Sequence, residues 1–501
     1  MSKPKGSRFM PSIKIIALAT AAPLVLAGCA TLGGPVPDSS TPITASEAQQ
    51  GAEYHPQLLA QFGGAMTGAQ ASYVEQVGQN ISVQSGLANA RSDFTVSMVN
   101  SSVNNAFAIP GGYVYTTRQL VALMDNEAEL AAVLGHEVAH VAARHSQRRQ
   151  QTAQRNSLLG GLGAILSGVL LGDTGLGSSL GRTFLQGSQL LTLKFSRRQE
   201  IEADELGIQY LARAGYDTQA MGTVLQSLAE QNALDAQLQG RANATLPEWA
   251  STHPDPASRV QNALSRAQAV GSTAGVTNEV TFLNRIDGLI YGDDPEQGVI
   301  EGNRFIHPEL RLSFTAPNGF YMVNGTRAVS INGQSGQAQL SLAQYNGDLD
   351  RYVRSVFAQI GGEQQQLTPS PIRRTTINGL PAAFGTARVQ TNNGEVDLVV
   401  FAYEFSNDRA YHFQAVTAAG RSGTFEPMFN SMRRISQSEA DAVIPRRIDV
   451  VTVQRGDTVN TLARRMAYDN GQVERFRVLN SLGANEGLRA GEKVKIVVRA
   501  R

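Results

Sequence analysis

The sequence predicts an α+β, multidomain chain that is mainly helical in its first half and mixed in its second. Three observations carry this. A length of 501 residues exceeds one ordinary domain and suggests roughly two to four. Residues 46–270 carry a helical apolar pattern, whereas helix and strand patterns alternate over 310–436. Composition shifts at Gly271-Ser272-Thr273-Ala274-Gly275 and at Ile444-Pro445-Arg446-Arg447 mark boundaries, leaving 271–309 as a linker or extension and 447–498 as a small last unit.

Taken in order, the elements have local causes. Residues 94–100 and 106–116 alternate like strands around Pro110-Gly111-Gly112 and suggest a small hairpin. The clearest helix runs from Asn126 to Arg149: Asn126 or Asp125 can cap it, Glu127 and Glu129 suit its N-terminal dipole, and Arg144, Arg148 and Arg149 suit its far end. The Gly- and Leu-rich stretch 156–190 reads as a loop or broken helical hairpin, or more sharply as a membrane-dipping or substrate-gating lid. Further on, Asp348 can cap a helix carrying Leu349, Tyr352, Val353, Val356, Phe357 and Ile360, stopped by Gly361. Residues 386–390 and 396–405 flank Asn392-Asn393-Gly394, a hairpin signal, and 411–417 alternates like another strand.

Composition narrows the function. A formal charge of +1 gives no electrostatic footprint for nucleic acid. The single cysteine, Cys29, forbids disulfides within the chain. It ends a basic, then apolar, N-terminal stretch: Lys3, Lys5, Arg8 and Lys14 precede an apolar run over 15–26 that is too short to span a bilayer. Leu26-Ala27-Gly28-Cys29 resembles a bacterial lipobox. That resemblance implies a signal peptide over 1–28, lipidation of Cys29, a flexible tether over 29–45 and, with Ala30 following, the periplasmic face of the outer membrane.

The chemistry centres on His136-Glu137-Val138-Ala139-His140. Helical residues turn by about 100° each, so His136 and His140 share a face and can share one Zn2+, with Glu137 close enough to reach a metal-bound water. A third protein ligand is needed. His145 lies five residues past His140, about 140° around a continuous helix, so a polar-face or second-site role suits it better. In Glu200-Ile201-Glu202-Ala203-Asp204, Glu200 and Asp204 share a face, while Glu202 is about 200° away and should point elsewhere. Glu200 then completes a His-His-Glu site and Asp204 can orient a ligand histidine.

HEVAH followed by this segment resembles the HtpX/BepA/LoiP-type family of gluzincin zinc metallopeptidases. So does Asn105-Ala106-Phe107-Ala108-Ile109-Pro110-Gly111-Gly112, and so does Ser251-Thr252-His253-Pro254 with Arg259 after it. The resemblance covers 46–270. It implies one zinc held by His136, His140 and Glu200, Glu137 as general base, and Asp204 as the motif aspartate. His253 either supports the oxyanion, a role also open to Arg259, or fills the open coordination position at rest. The strand near 105–109 can pair with an extended substrate.

Residues 450–498 resemble a LysM module, a small βααβ unit, on Val453-Gln454-Arg455-Gly456-Asp457-Thr458-Val459, Val478-Leu479-Asn480 and Val494-Lys495-Ile496. Such modules bind N-acetylglucosamine polymers, here peptidoglycan. The role of 310–436 stays open. The function this implies is an envelope endopeptidase acting on unfolded or misassembled proteins, in reach of the outer-membrane assembly machinery. The competing expectation is a wall-tethered assembly or chaperone factor with latent proteolysis.

Overall fold

The computed structural model describes residues 41–148, 195–238, 253, 256–271, 274–326, 328–361, 367–391 and 394–500. The expected signal peptide, Cys29, most of the tether, and the 156–190 stretch lie outside the described residues.

Two helices open the chain, α1 (Ala45–Gln61) and α2 (Ala69–Ser82). Strands β1 (Thr95–Val99), β2 (Ala106–Ile109) and β3 (Tyr113–Thr117) follow. The expected hairpin is β2–β3, turning at Pro110–Gly112, while β1 pairs with β3 in parallel, so β2 is an edge. The hairpin therefore sits within 106–117 and not between 94–100 and 106–116. Glycines at 111 and 112, both with positive φ, make so tight a reversal possible.

Helix α3 (Arg118–Leu123) leads into α4 (Glu127–Ala142). Asn126 Oδ1 caps α4 by accepting from Glu129 N at 3.0 Å. Almost every α4 side chain is buried, as expected of a helix apolar on all sides and packed centrally. It ends earlier than its pattern suggested. Arg144 takes a left-handed φ of 53°, and its guanidinium donates to the Val141 and Ala142 carbonyls and pairs with Glu47 at 3.0 Å. Tertiary pairing thus bends the chain where helical charge pattern alone would continue.

Helices α5 (Arg197–Ala214), α6 (Ala220–Leu238) and α7 (Pro256–Val270) complete the helical layer. Helices α4 and α5 approach closely at Gly135 and Gly207; a Cβ on Gly207 would lie 3.3 Å from His136 N. The expected 271–309 connector is folded: α8 (Glu279–Ile286) buries Phe282, Leu283 and Ile286. Its next strand, β4 (Ile290–Tyr291), joins the C-terminal sheet.

Strands β5 (Val299–Glu301), β6 (Arg304–His307) and β7 (Leu312–Thr315) form a four-stranded sheet with Arg433–Arg434. A seven-stranded antiparallel sheet follows, built from β8 (Tyr321–Asn324), β9 (Val329–Gly333), β10 (Gly336–Leu342), β11 (Arg373–Ile377), β12 (Leu380–Thr391), β13 (Gly394–Ser406) and β14 (Arg409–Ala418). Its spatial order is β11-β12-β13-β14-β10-β9-β8. Period-2 alternation along β13 sends Val399, Phe401 and Tyr403 to one core and Leu398, Val400 and Ala402 to another. The second core is covered by α9 (Leu349–Gly361), whose N-terminus Asp348 caps. The β12–β13 hairpin forms as expected; its turn residues 392–393 lie outside the described residues.

The last elements are β16 (Arg446–Thr452), α10 (Val459–Ala463), α11 (Gln472–Leu479) and β17 (Lys493–Arg499), with Arg433–Arg434 counted as β15. The order is β-α-α-β with antiparallel strands. This unit shares one apolar core with the helical layer: Phe476, Leu479, Ile496 and Val497 belong to the same buried cluster as Leu123, Val133 and Leu228. Among the described residues, no helix is long and apolar enough to cross a membrane.

Candidate metal centre

Helix α4 supplies His136 and His140 one turn apart, and their Nε2 atoms lie 3.0 Å from each other. Helix α5, brought close by Gly207, supplies Glu200: its Oε2 is 3.6 Å from His136 Nε2 and its Oε1 is 3.5 Å from His140 Nε2. A fourth donor comes from His253, whose Nδ1 is 3.3 Å from His136 Nε2 and 3.2 Å from both Glu200 oxygens. All four side chains are buried, and their donor atoms fall within 4.8 Å of one another. Tetrahedral Zn2+ with bonds of about 2.0–2.1 Å sets its donors about 3.3 Å apart. These spacings, and a two- or three-imidazole plus carboxylate set, fit zinc.

Behind the donors lies a second set of contacts. Asp204 Oδ1 accepts from His136 Nδ1 at 2.9 Å, which turns His136 Nε2 toward the centre. Arg259 grips Asp204 through Nε at 2.8 Å and Nη2 at 2.5 Å, and reaches Glu200 through Nη1 at 2.5 Å. Burial works against the Asp204 charge, but the Arg259 guanidinium overrides it and holds the carboxyl down at about 2. Arg259 thus joins a carboxylate of the donor group, Glu200, to one behind it, Asp204.

Glu137 is buried, and burial pushes its carboxyl up from the ordinary range. Its Oε1 makes no hydrogen bond but lies 3.4 Å from His253 Nε2. Burial alone would lower His253; Glu137 and Glu200 beside it push it up.

The structure thus brings together Glu137, Asp204, His253, His136, His140 and Glu200. His145 is not among the four donors; its Nδ1 meets His140 Nδ1 at 2.8 Å. Two contacts had no sequence expectation. Phe195 stacks on His140 with ring centroids 3.9 Å apart, and Glu202 reaches back to His145 at 3.3 Å. Neither has a motif spacing that a single sequence displays.

Histidines one turn apart on one helix and a carboxylate from a second, with a buried glutamate beside them, form the kind of donor set that HExxH zinc sites use. Residues 68–267 match the family model for Peptidase family M48. The chain is 35% identical over 198 residues to the beta-barrel assembly-enhancing protease of Escherichia coli O157:H7, covering 39% of each chain. The protein of the same name from Yersinia pestis is 36% identical over 227 residues, covering 44% of each. Mitochondrial metalloendopeptidase OMA1 of Arabidopsis thaliana is 32% identical over 185 residues, 37% of this chain and 34% of that one. The chain spans less than half the length of these relatives.

Proposed function

We propose that this chain is a zinc-dependent endopeptidase of the bacterial cell envelope that cleaves unfolded or misassembled periplasmic and outer-membrane proteins. The observation that carries the reading is a buried Glu137, whose Oε1 makes no hydrogen bond and lies 3.4 Å from His253 Nε2, beside a four-donor centre. The names of the relatives and the lipobox at Cys29 support the location and the substrate class.

His136, His140 and Glu200 would hold zinc, which when bound would supply Lewis acidity toward the scissile carbonyl and the attacking water. Glu137 takes a proton from that water, which its raised affinity for protons favours, and delivers it to the leaving amine. Asp204 keeps the His136 ring oriented, and Arg259 holds Asp204. The edge of β2 offers unpaired backbone groups to an extended peptide, giving binding with little side-chain preference. His253 fills the fourth corner of the donor set, which favours proteolysis that is latent until this residue moves aside. In this reading Cys29 carries the lipid anchor at the outer membrane. The βααβ unit 447–498 is a LysM-like module that meets peptidoglycan.

Glu137→Gln tests the assignment. It should keep zinc, measured by metal content, and lose casein cleavage by about 10²-fold or more. Cleavage at the wild-type rate refutes the role of Glu137.

A further inference from the structure

We propose that His145 and Glu202 are positioning residues that orient the ligand His140, a relay separate from the Asp204 support of His136. The inference rests on the metal-centre reading above. Its starting point is the left-handed turn at Arg144, with φ 53°. That turn ends α4 and folds His145 back, so the angular distance a continuous helix would impose does not apply.

The proton positions follow from geometry. His140 Nε2 faces the donor group, 3.0 Å from His136 Nε2 and 3.5 Å from Glu200 Oε1. A neutral imidazole that offers Nε2 to a metal carries its proton on Nδ1. His140 Nδ1 therefore donates, and the atom opposite it is His145 Nδ1 at 2.8 Å. His145, accepting on Nδ1, carries its own proton on Nε2, which lies 3.3 Å from Glu202 Oε2. That last contact is electrostatic, close in distance but outside hydrogen-bond alignment. Glu202 is held in turn by Arg148 at 3.0 Å. His145 is fully buried while Glu202 is 39% exposed, so the relay runs from the centre to the surface.

Metal-bound histidines ordinarily give their second N–H to a carboxylate or carbonyl, and losing that partner costs about 10–100-fold in metal affinity. His136 has the ordinary arrangement through Asp204. For His140 the carboxylate on α5 is too far around the helix to reach directly, and His145 spans the gap. One helix face and its neighbour thus provide a ligand at 200, support for one histidine at 202 and for the other at 204. Phe195 stacked on His140 blocks the ring from tilting the other way.

The test is zinc affinity of the full chain, read by competition with a chromogenic chelator. His145→Leu should bind zinc about 10–100-fold more weakly. His145→Asn, which places an amide oxygen where Nδ1 sits, should recover most of that loss. Glu202→Gln, at a partly exposed position, should weaken binding several-fold, and it carries the test if His145→Leu does not fold. Wild-type affinity in His145→Leu or Glu202→Gln overturns the relay, as does His145→Asn binding as weakly as His145→Leu. His136→Ala serves as the control. A wild-type chain that binds no zinc overturns the metal centre itself, whereas zinc lost only in His136→Ala overturns the relay alone.

Discussion

His253 reaches the metal centre from outside the two helices that build it. Its Nδ1 sits at ligand spacing from His136 and Glu200, and its Nε2 faces Glu137. A substrate carbonyl would need that same corner, since catalytic zinc sites hold three protein ligands and leave the fourth position to water or substrate. Removing the imidazole should therefore open the site. His253→Ala is expected to raise casein cleavage several-fold at saturating zinc. A rate at or below wild type would assign His253 to oxyanion support instead. Arg259 is a buried cation that hydrogen-bonds Asp204 and Glu200 and so organises the carboxylates around the donor group.

Helix α4 carries two of the donors, and its first turn is held by a buried polar cluster. Glu129 Oε2 accepts from Asp125 N at 2.8 Å, and Thr223 Oγ1 donates to Oε1 at 2.6 Å. Burial, then the neighbouring Asp125 charge, pushes the Glu129 carboxyl up to about 7. A carboxyl whose folded value exceeds its unfolded one binds more protons when folded. Stability from this group is then complete below the unfolded value near 4.5 and declines as pH rises toward 7. Glu129→Gln removes the charge, keeps one oxygen to accept from Asp125 N, and turns its NH2 toward the Thr223 hydroxyl, which can accept. It should leave stability nearly unchanged at pH 5 and raise it at pH 8 by at most about 3 kcal/mol, seen as a higher melting temperature. Equal melting shifts at both pH values would show that Glu129 ionises without penalty.

At the scale of the molecule, a buried cation of the C-terminal βααβ unit reaches into the helical layer. Lys495 is 0% exposed. Its Nζ donates to the carbonyls of Ala122, Leu123 and Met124 at 3.2, 3.1 and 2.6 Å, and pairs with Asp125 at 2.9 Å. These carbonyls end α3, where a cation complements the helix dipole, directly before α4 begins. The two parts also share an apolar core, so they should unfold together. Lys495→Met keeps the volume and leaves three carbonyls without their donor. A loss of about 3–5 kcal/mol is expected, seen as one cooperative transition at lower denaturant. A separate early transition of residues 447–498, with the helical layer unaffected, would count against this coupling.

The order of elements and most of the centre were legible in the chain because they depend on short-range periodicity. His136 and His140 are four apart, Glu200 and Asp204 are four apart, and helical rotation alone places each pair on one face. Asp348 starts α9 and Asn126 starts α4, because caps answer to local backbone needs. What the sequence could not determine depends on contacts between distant residues. The turn at Arg144 follows from Glu47, nearly a hundred positions earlier, and it changed what His145 can touch. Glu202 points away from the centre as its angle requires, yet reaches it through His145. Which surfaces the linker or extension over 271–309 meets is likewise set by distant parts of the chain: Phe282, Leu283 and Ile286 are buried in a core shared with elements far along the sequence. Local pattern by itself determined which residues could hold a metal; tertiary packing decided which neighbours orient them, because burial of charge and ring nitrogen forces each to find a partner wherever the fold supplies one.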